Sequence, residues 1–226
     1  MGEGCRGIRP LIQWHDDRRS CGRRPGPRTA VPIDPALARR AVRAAARRAL
    51  IEEIPELAAL ATTPQDPGWH PEGDVLVHSL WAADLAAEHA HATGASDDER
   101  ELLVLAALWH DIGKPATTRR RNGRITSYGH AEHGADVARS LGARLGLPHP
   151  LVRAVSEIIA THMAHVSVNG MPSVKAVRRL RDRLRDAGTS LEEWAVVVRC
   201  DGDARGSAAR PDASIPWLKV ARGLDR

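Results

Sequence analysis

The chain has 226 residues, 42% of them hydrophobic, enough to bury a core in one good-sized domain or two small ones, which excludes a natively disordered protein. Its net charge of +5 is unevenly divided: residues 1–50 hold 12 Arg against 4 acids, and residues 51–226 hold 21 bases against 24 acids. A pI near 9.7 therefore describes a basic N-terminal segment and does not mark the body as a nucleic-acid surface.

No apolar run reaches the roughly 18 residues of a membrane span, and Arg9, Pro10 and Gln13 interrupt the only N-terminal stretch that could start a secretory signal. Cys5, Cys21 and Cys200 are odd in number and show no C-x-x-C spacing, so a reducing cytoplasm is the expected compartment.

Residues 1–33 mix Gly, Pro, Arg and Ser without a period and read as a flexible basic extension, with the folded body beginning at residue 34. Asp34 and Pro35 suit a helix start, and apolar residues at helical spacing follow from Ala36 to Ile54. A helix is expected over Asp74–His91, with Leu76, Leu80, Ala83 and Ala87 on one stripe and Gly94 as its stop. Ser96 caps the next, whose run from Leu102 to Trp109 is apolar nearly all round and so belongs at the centre. Asn122-Gly123 lies between two short polar segments and predicts a hairpin. Further helices are expected over His130–Leu145, Pro148–Met163, Ser173–Ala187, Leu191–Ala204 and Pro211–Gly223. The fold class is all-α, a helical bundle with one small β-hairpin, and residues 34–226 form one domain.

The chemistry concentrates on histidines and acids. His110 and Asp111 end the central helix immediately before Gly113, where a fraying C-terminus lets both side chains turn toward one ion, and the pair suits a divalent metal. Two ligands hold an ion weakly, so more must come from other helices; His78, His130, His162 and Asp201 are the candidates. A second His-Asp pair, His15-Asp16, lies in the basic extension without helical context and is a decoy. His89, His91, His149 and His165 read as capping or surface residues, while Trp81, Trp109 and Trp194 read as core. Trp69, beside His70 in a Pro/Gly-rich loop, is a candidate base-stacking platform. Arg119, Arg120 and Arg121 are equally a solvated hairpin or an RNA-contacting strip.

The order His78, His110-Asp111, Asp201 resembles the HD superfamily of metal-dependent phosphohydrolases. HPEGDVLVHSL, HDIGKPATT, the hairpin leading into SYGHAEHGA, ATHMAH and DGDARG are together similar to the HD domain appended to bacterial tRNA nucleotidyltransferases and to RNA end-healing kinases. The likeness covers roughly residues 50–210, without a nucleotidyltransferase head or a GxxxxGK[ST] loop, so polymerising and kinase activities are not carried over. The resemblance implies an HD-domain fold and a first metal on His78, His110, Asp111 and Asp201. It also implies a second metal on His130 and His162 bridged by Asp111, the ions being Mn, Ni, Co, Fe, Mg or Zn. Lys114 and Arg205 are expected to clamp phosphate, with His70 also at the substrate and His133 or His70 as the leaving-group acid.

The implied reaction is hydrolysis of 2′,3′-cyclic phosphates or 2′-phosphates on nucleotides or RNA ends, with RNA contact through the basic extension and no membrane partner. The alternatives are a nucleotidase or dNTP phosphohydrolase, and a non-catalytic module that binds nucleotide or RNA.

Overall fold

A computed structural model describes residues 54–168 and 170–224. The extension over residues 1–33, its His15-Asp16 pair, the boundary at residue 34 and nearly all of the helix expected from Ala36 to Ile54 lie outside the described residues.

Among the described residues the first element is a single turn, α1 (Pro55–Ala58), continued by a 3₁₀ segment over Ala59–Thr62. The long helix α2 (Val75–Thr93) starts where the Asp74 carboxylate accepts from the Val77 amide and ends at Gly94, whose φ of 67° suits a residue without Cβ. Helix α3 (Asp97–Trp109) is capped by Ser96 and carries Asp97, Asp98 and Glu99 at the positive end of its dipole. It packs against α2 and two later helices and is central, as its apolar perimeter predicts. A four-residue turn α4 (Lys114–Thr117) then leads into strands β1 (Arg119–Arg121) and β2 (Arg124–Thr126). They pair antiparallel, with Arg120 opposite Ile125, and Asn122 and Gly123 both take positive φ at the turn.

The second half comprises α5 (His130–Arg144), α6 (His149–Thr161), α7 (Val174–Ala187), α8 (Leu191–Asp203) and α9 (Ile215–Leu224). Buried positions recur at helical spacing, as Ala131, Ala135, Ala138 and Leu141 on α5 and Val177, Leu180 and Leu184 on α7, so each helix turns one face inward. Ser190 and Glu193 form a reciprocal capping box that starts α8. On that helix Trp194 is fully buried, and its indole Nε1 donates to Thr161 O at 3.1 Å. The fold class is therefore all-α with one two-stranded hairpin. Among the described residues no helix is long and apolar enough to cross a membrane.

Three expectations are corrected. Trp81 is 38% exposed and not core, because the buried side of α2 runs through Leu80, Ala82, Ala83 and Ala86 and leaves position 81 outside. The helix expected to reach Met163 stops at Thr161 and tightens into a 3₁₀ segment over His162–Ser167. The last helix starts at Ile215 and not Pro211, because the Asp212 carboxylate accepts from the Ser214 amide and hydroxyl in a local turn.

Candidate metal centre

Five separate elements deliver side chains to one buried point. His78 comes from the first turn of α2, His110 and Asp111 from the end of α3, His130 from the start of α5, His162 from the end of α6 and Asp201 from the last turn of α8. All six are at most 8% exposed. Asp111 is the hub: its Oδ2 lies 3.1 Å from His110 Nε2 and 2.6 Å from Lys114 Nζ, and its Oδ1 lies 3.3 Å from His130 Nε2. His78 Nε2 is 3.1 Å from Asp201 Oδ1, and His130 Nε2 is 3.1 Å from His162 Nε2.

The backbone dictates which ring nitrogen faces inward. The Nδ1 atoms of His110, His130 and His162 lie 2.7–2.8 Å from the carbonyl oxygens of Ala107, Ser127 and Ile159. A carbonyl only accepts, so each Nδ1 carries a hydrogen and each ring turns its Nε2 inward, where it presents a lone pair whenever that nitrogen is unprotonated. His78 follows the same logic through the Glu72 carboxylate, whose Oε1 is 2.7 Å from its Nδ1. Lone pairs facing lone pairs at about 3 Å repel unless a proton or cation lies between them. His110 Nε2 is buried without a hydrogen-bond partner, as expected of an atom reserved for such a cation.

The electrostatics agree. Burial raises the carboxyls of Asp111 and Asp201, but their polar neighbours outweigh it and hold both well below the usual range: His110 and Lys114 at Asp111, and hydrogen bonding with His78, followed by His110 and Arg205, at Asp201. Burial, helped by His130 and His110, pushes His162 down to about 3, so its ring is neutral and able to ligate. For His110 burial is outweighed by Asp111, which moves the imidazole up. The residues fit divalent ions in two groups, His78–His110–Asp111 and Asp111–His130–His162, whose ligating atoms lie within 4.8 Å of one another.

Outside this cluster opens a pocket of about 640 Å³, lined by His70, Lys114, Arg205 and, further out, Trp69, Tyr128 and Val166. Lys114 Nζ also donates to Gln65 Oε1 at 2.8 Å, and Arg205 Nη2 donates to Asp201 Oδ1 at 3.1 Å. Arg205 Nε is a buried donor with no partner. His70 is pulled down to about 4, by burial first and then by Lys114 and His78, and is neutral at neutral pH. His133 does not join the site: it is exposed and outside the pocket lining, because the inward face of α5 follows Ala131, Gly134 and Ala135. Among the other histidines, His89 accepts from Arg199 at its Nδ1, and His91 and His149 are exposed.

Sequence reasoning missed Glu72 and Gln65. Glu72 sits inside HPEGD, the loop before α2, with its side chain 1% exposed and Oε1 between His70 Nδ1 at 2.8 Å and His78 Nδ1 at 2.7 Å. An acid six residues before a candidate ligand, next to a second histidine, was the available signal. Such partners fix tautomer and ring orientation, so Glu72→Gln is expected to weaken metal binding about 10- to 100-fold. Calorimetric titration of the metal-stripped variant with Mn²⁺ checks this, and an unchanged affinity would show that Glu72 does not orient His78.

The HD domain family matches residues 75–197, the segment that carries five of these six side chains. The Multifunctional CCA protein of Cupriavidus metallidurans is 31% identical over 169 residues, covering 74% of this chain and 38% of that protein. The CC-adding tRNA nucleotidyltransferase of Thermus thermophilus is 31% identical over 169 residues, covering 65% of this chain and 35% of its own. The chain thus spans a little over a third of the length of these relatives. The crystal structure of the HD domain of the L. monocytogenes phosphodiesterase PgpH aligns with a TM-score of 0.30 at 13% identity, covering 76% of this chain and 100% of that one. With more than half its length matched and its histidines and aspartates gathered at one point, the chain belongs to the HD domain family of metal-dependent hydrolases.

Proposed function

We propose that the chain hydrolyses 2′,3′-cyclic phosphates or 2′-phosphates of nucleotides or RNA ends, with His78, His110, Asp111 and Asp201 holding one divalent ion and Asp111, His130 and His162 a second. The observation that carries this reading is Asp111, whose two oxygens face the two histidine groups while Lys114 approaches one of them. Bound divalent ions polarise a phosphoryl oxygen and make nearby water acidic enough to supply hydroxide near neutral pH.

The protein's own residues do the rest. Two of the three Lys114 ammonium hydrogens are committed, to Asp111 and Gln65, which leaves one donor for a phosphoryl oxygen. Arg205 is tethered by Asp201 and keeps its buried Nε unspent, so it adds a second cationic donor against the same anion. Asp111 and Asp201, held ionised, orient water by accepting its hydrogens. His70 meets the substrate as a neutral imidazole that Glu72 holds through Nδ1. The relatives named for tRNA nucleotidyl transfer support a nucleotide or RNA substrate, in which the 2′-oxygen is available.

The purified chain is to be assayed with Mn²⁺, Ni²⁺, Co²⁺, Mg²⁺ and Zn²⁺ against 2′,3′-cyclic AMP, 2′-AMP, 3′-AMP, 5′-AMP, dNTPs and an aryl phosphate. Turnover of the first two above the others is expected. Preference for 5′-AMP or dNTPs would replace this reading with a nucleotidase, and metal-loaded protein inactive on all of them would leave a binding module.

A further inference from the structure

The hairpin carries four arginines on its six strand residues and contributes no side chain to the metal centre. Between Asp111 and Glu132 the sequence contains Lys114, Arg119, Arg120, Arg121 and Arg124 and no acid. The four arginines are exposed, and among the described residues no carboxylate pairs with any of them. A set of unpaired guanidiniums on a three-residue ribbon repels itself, and a bound polyanion relieves that repulsion.

A second hollow of about 320 Å³ lies beside this ribbon. Arg119, Arg120 and Ile125 form one wall, and Pro115 and Thr118 come from α4 and its end. Pro64 and Ile125 line this hollow and the larger pocket alike, so the two adjoin along the helix that starts at Lys114. The rim of the larger pocket carries two exposed rings, Trp69 at 47% and Tyr128 at 76%. The Arg210 guanidinium lies 3.9 Å from the Trp69 ring centroid, and that of Arg121 lies 6.0 Å from that of Tyr128. Exposed aromatic rings interleaved with arginines beside a cationic trough are what single-stranded nucleic acid uses for sequence-tolerant binding: rings stack bases, and cations follow the phosphates.

We propose that the hairpin hollow is a subsite for the nucleotide on the 5′ side of the one bearing the scissile phosphate, with Arg119 and Arg120 engaging the phosphate that links the two and Trp69 and Tyr128 stacking the bases, so that the substrate is the 3′ end of an RNA chain and not a free nucleotide. This assignment rests on the reaction proposed above and narrows its substrate. A mononucleotide fills only the larger pocket and leaves the hairpin arginines unused, whereas an oligonucleotide spans both hollows and releases counterions from its backbone.

The test compares kcat/KM for 2′,3′-cyclic AMP with that for a hexaribonucleotide ending in a 2′,3′-cyclic phosphate. The full chain and its Arg119→Ala/Arg120→Ala variant are both assayed, and a fluorescein-labelled hexaribonucleotide with a 3′-hydroxyl reports binding by anisotropy. Wild type should favour the hexamer at least about tenfold, and the double-alanine variant should lose most of that ratio. Its binding should weaken with a salt slope shallower by about 0.7 for each phosphate no longer neutralised. Both substitutions lie at exposed positions, and an Arg119→Lys/Arg120→Lys variant that keeps the charge should retain much of the preference. A wild type indifferent to chain length, or an alanine variant that keeps the full preference and affinity, overturns the subsite. Hexamer binding that depends on Arg119 and Arg120 without hydrolysis of either substrate would sink the proposed reaction and leave the subsite standing.

Discussion

Asp111→Ala is expected to lose its bound metal and to hydrolyse none of the favoured substrate above background. The carboxylate is within 3.3 Å of His110 Nε2, Lys114 Nζ and His130 Nε2, so its loss removes the one anion common to both histidine groups and leaves a largely buried ammonium without its carboxylate partner. Lys114→Ala should fail differently. It contributes no metal ligand, so metal content by mass spectrometry should stay at the wild-type value while kcat/KM falls by about 10²-fold, the scale of losing one positioned donor to a developing anion. Metal-replete, fully active Asp111→Ala would refute the centre, and metal loss in Lys114→Ala would show that the lysine acts through Asp111 instead of on phosphate.

Gly113→Ala is expected to damage the fold and the site together. The backbone there is ordinary, with φ −82°, so the glycine is required by space and not by conformation. A Cβ at this position would lie 2.2 Å from His130 O, 2.6 Å from Gly134 N and 2.9 Å from Gly134 Cα, all backbone atoms with no rotamer to yield. Relief requires α5 to retreat from the turn after α3, which draws His130 away from Asp111. Overpacking of this kind costs about 3 kcal/mol or more, at the upper end of its usual range. For a body of this size that corresponds to a fall in Tm of roughly 6–12 °C. Differential scanning calorimetry of metal-free protein measures the packing cost alone, and a Tm within about two degrees of wild type, less than a 1 kcal/mol change would give, would show that the two backbones part easily.

How much could be read in advance depended on whether the signal was local. Caps are local: Ser96 starts its helix as its side-chain oxygen predicts, and Asp74, Ser173 and Ser190 cap the helices expected to begin at or just after them. The Asn122-Gly123 turn is equally local, since positive φ at two successive positions admits few residues. Convergence of His78 with Asp201 is not local at all; it came from resemblance, because no periodicity links residues on separate helices. His133 failed since two histidines three apart on α5 are equivalent until the packed face is known. Trp81 failed for a related reason: α2 is apolar around most of its circumference, so residue type did not reveal which side meets solvent. Glu72 was overlooked because a loop acid carries no mark of burial until the histidines on either side of it are seen to share it.

His78 and Asp201 are separated by 123 positions in the chain, yet their side chains meet at 3.1 Å, with the other four candidates between them in sequence. An ion gripping this set behaves as a removable cross-link that ties distant parts of the polypeptide together only after they have docked. The unfolded chain offers no comparable site, so occupancy draws the folding equilibrium toward the native state, by about 2.7 kcal/mol at a free ion concentration one hundred times the dissociation constant. Metal supply then governs not only turnover but how much folded protein persists, and chelation should lower Tm in proportion to the logarithm of the free ion concentration.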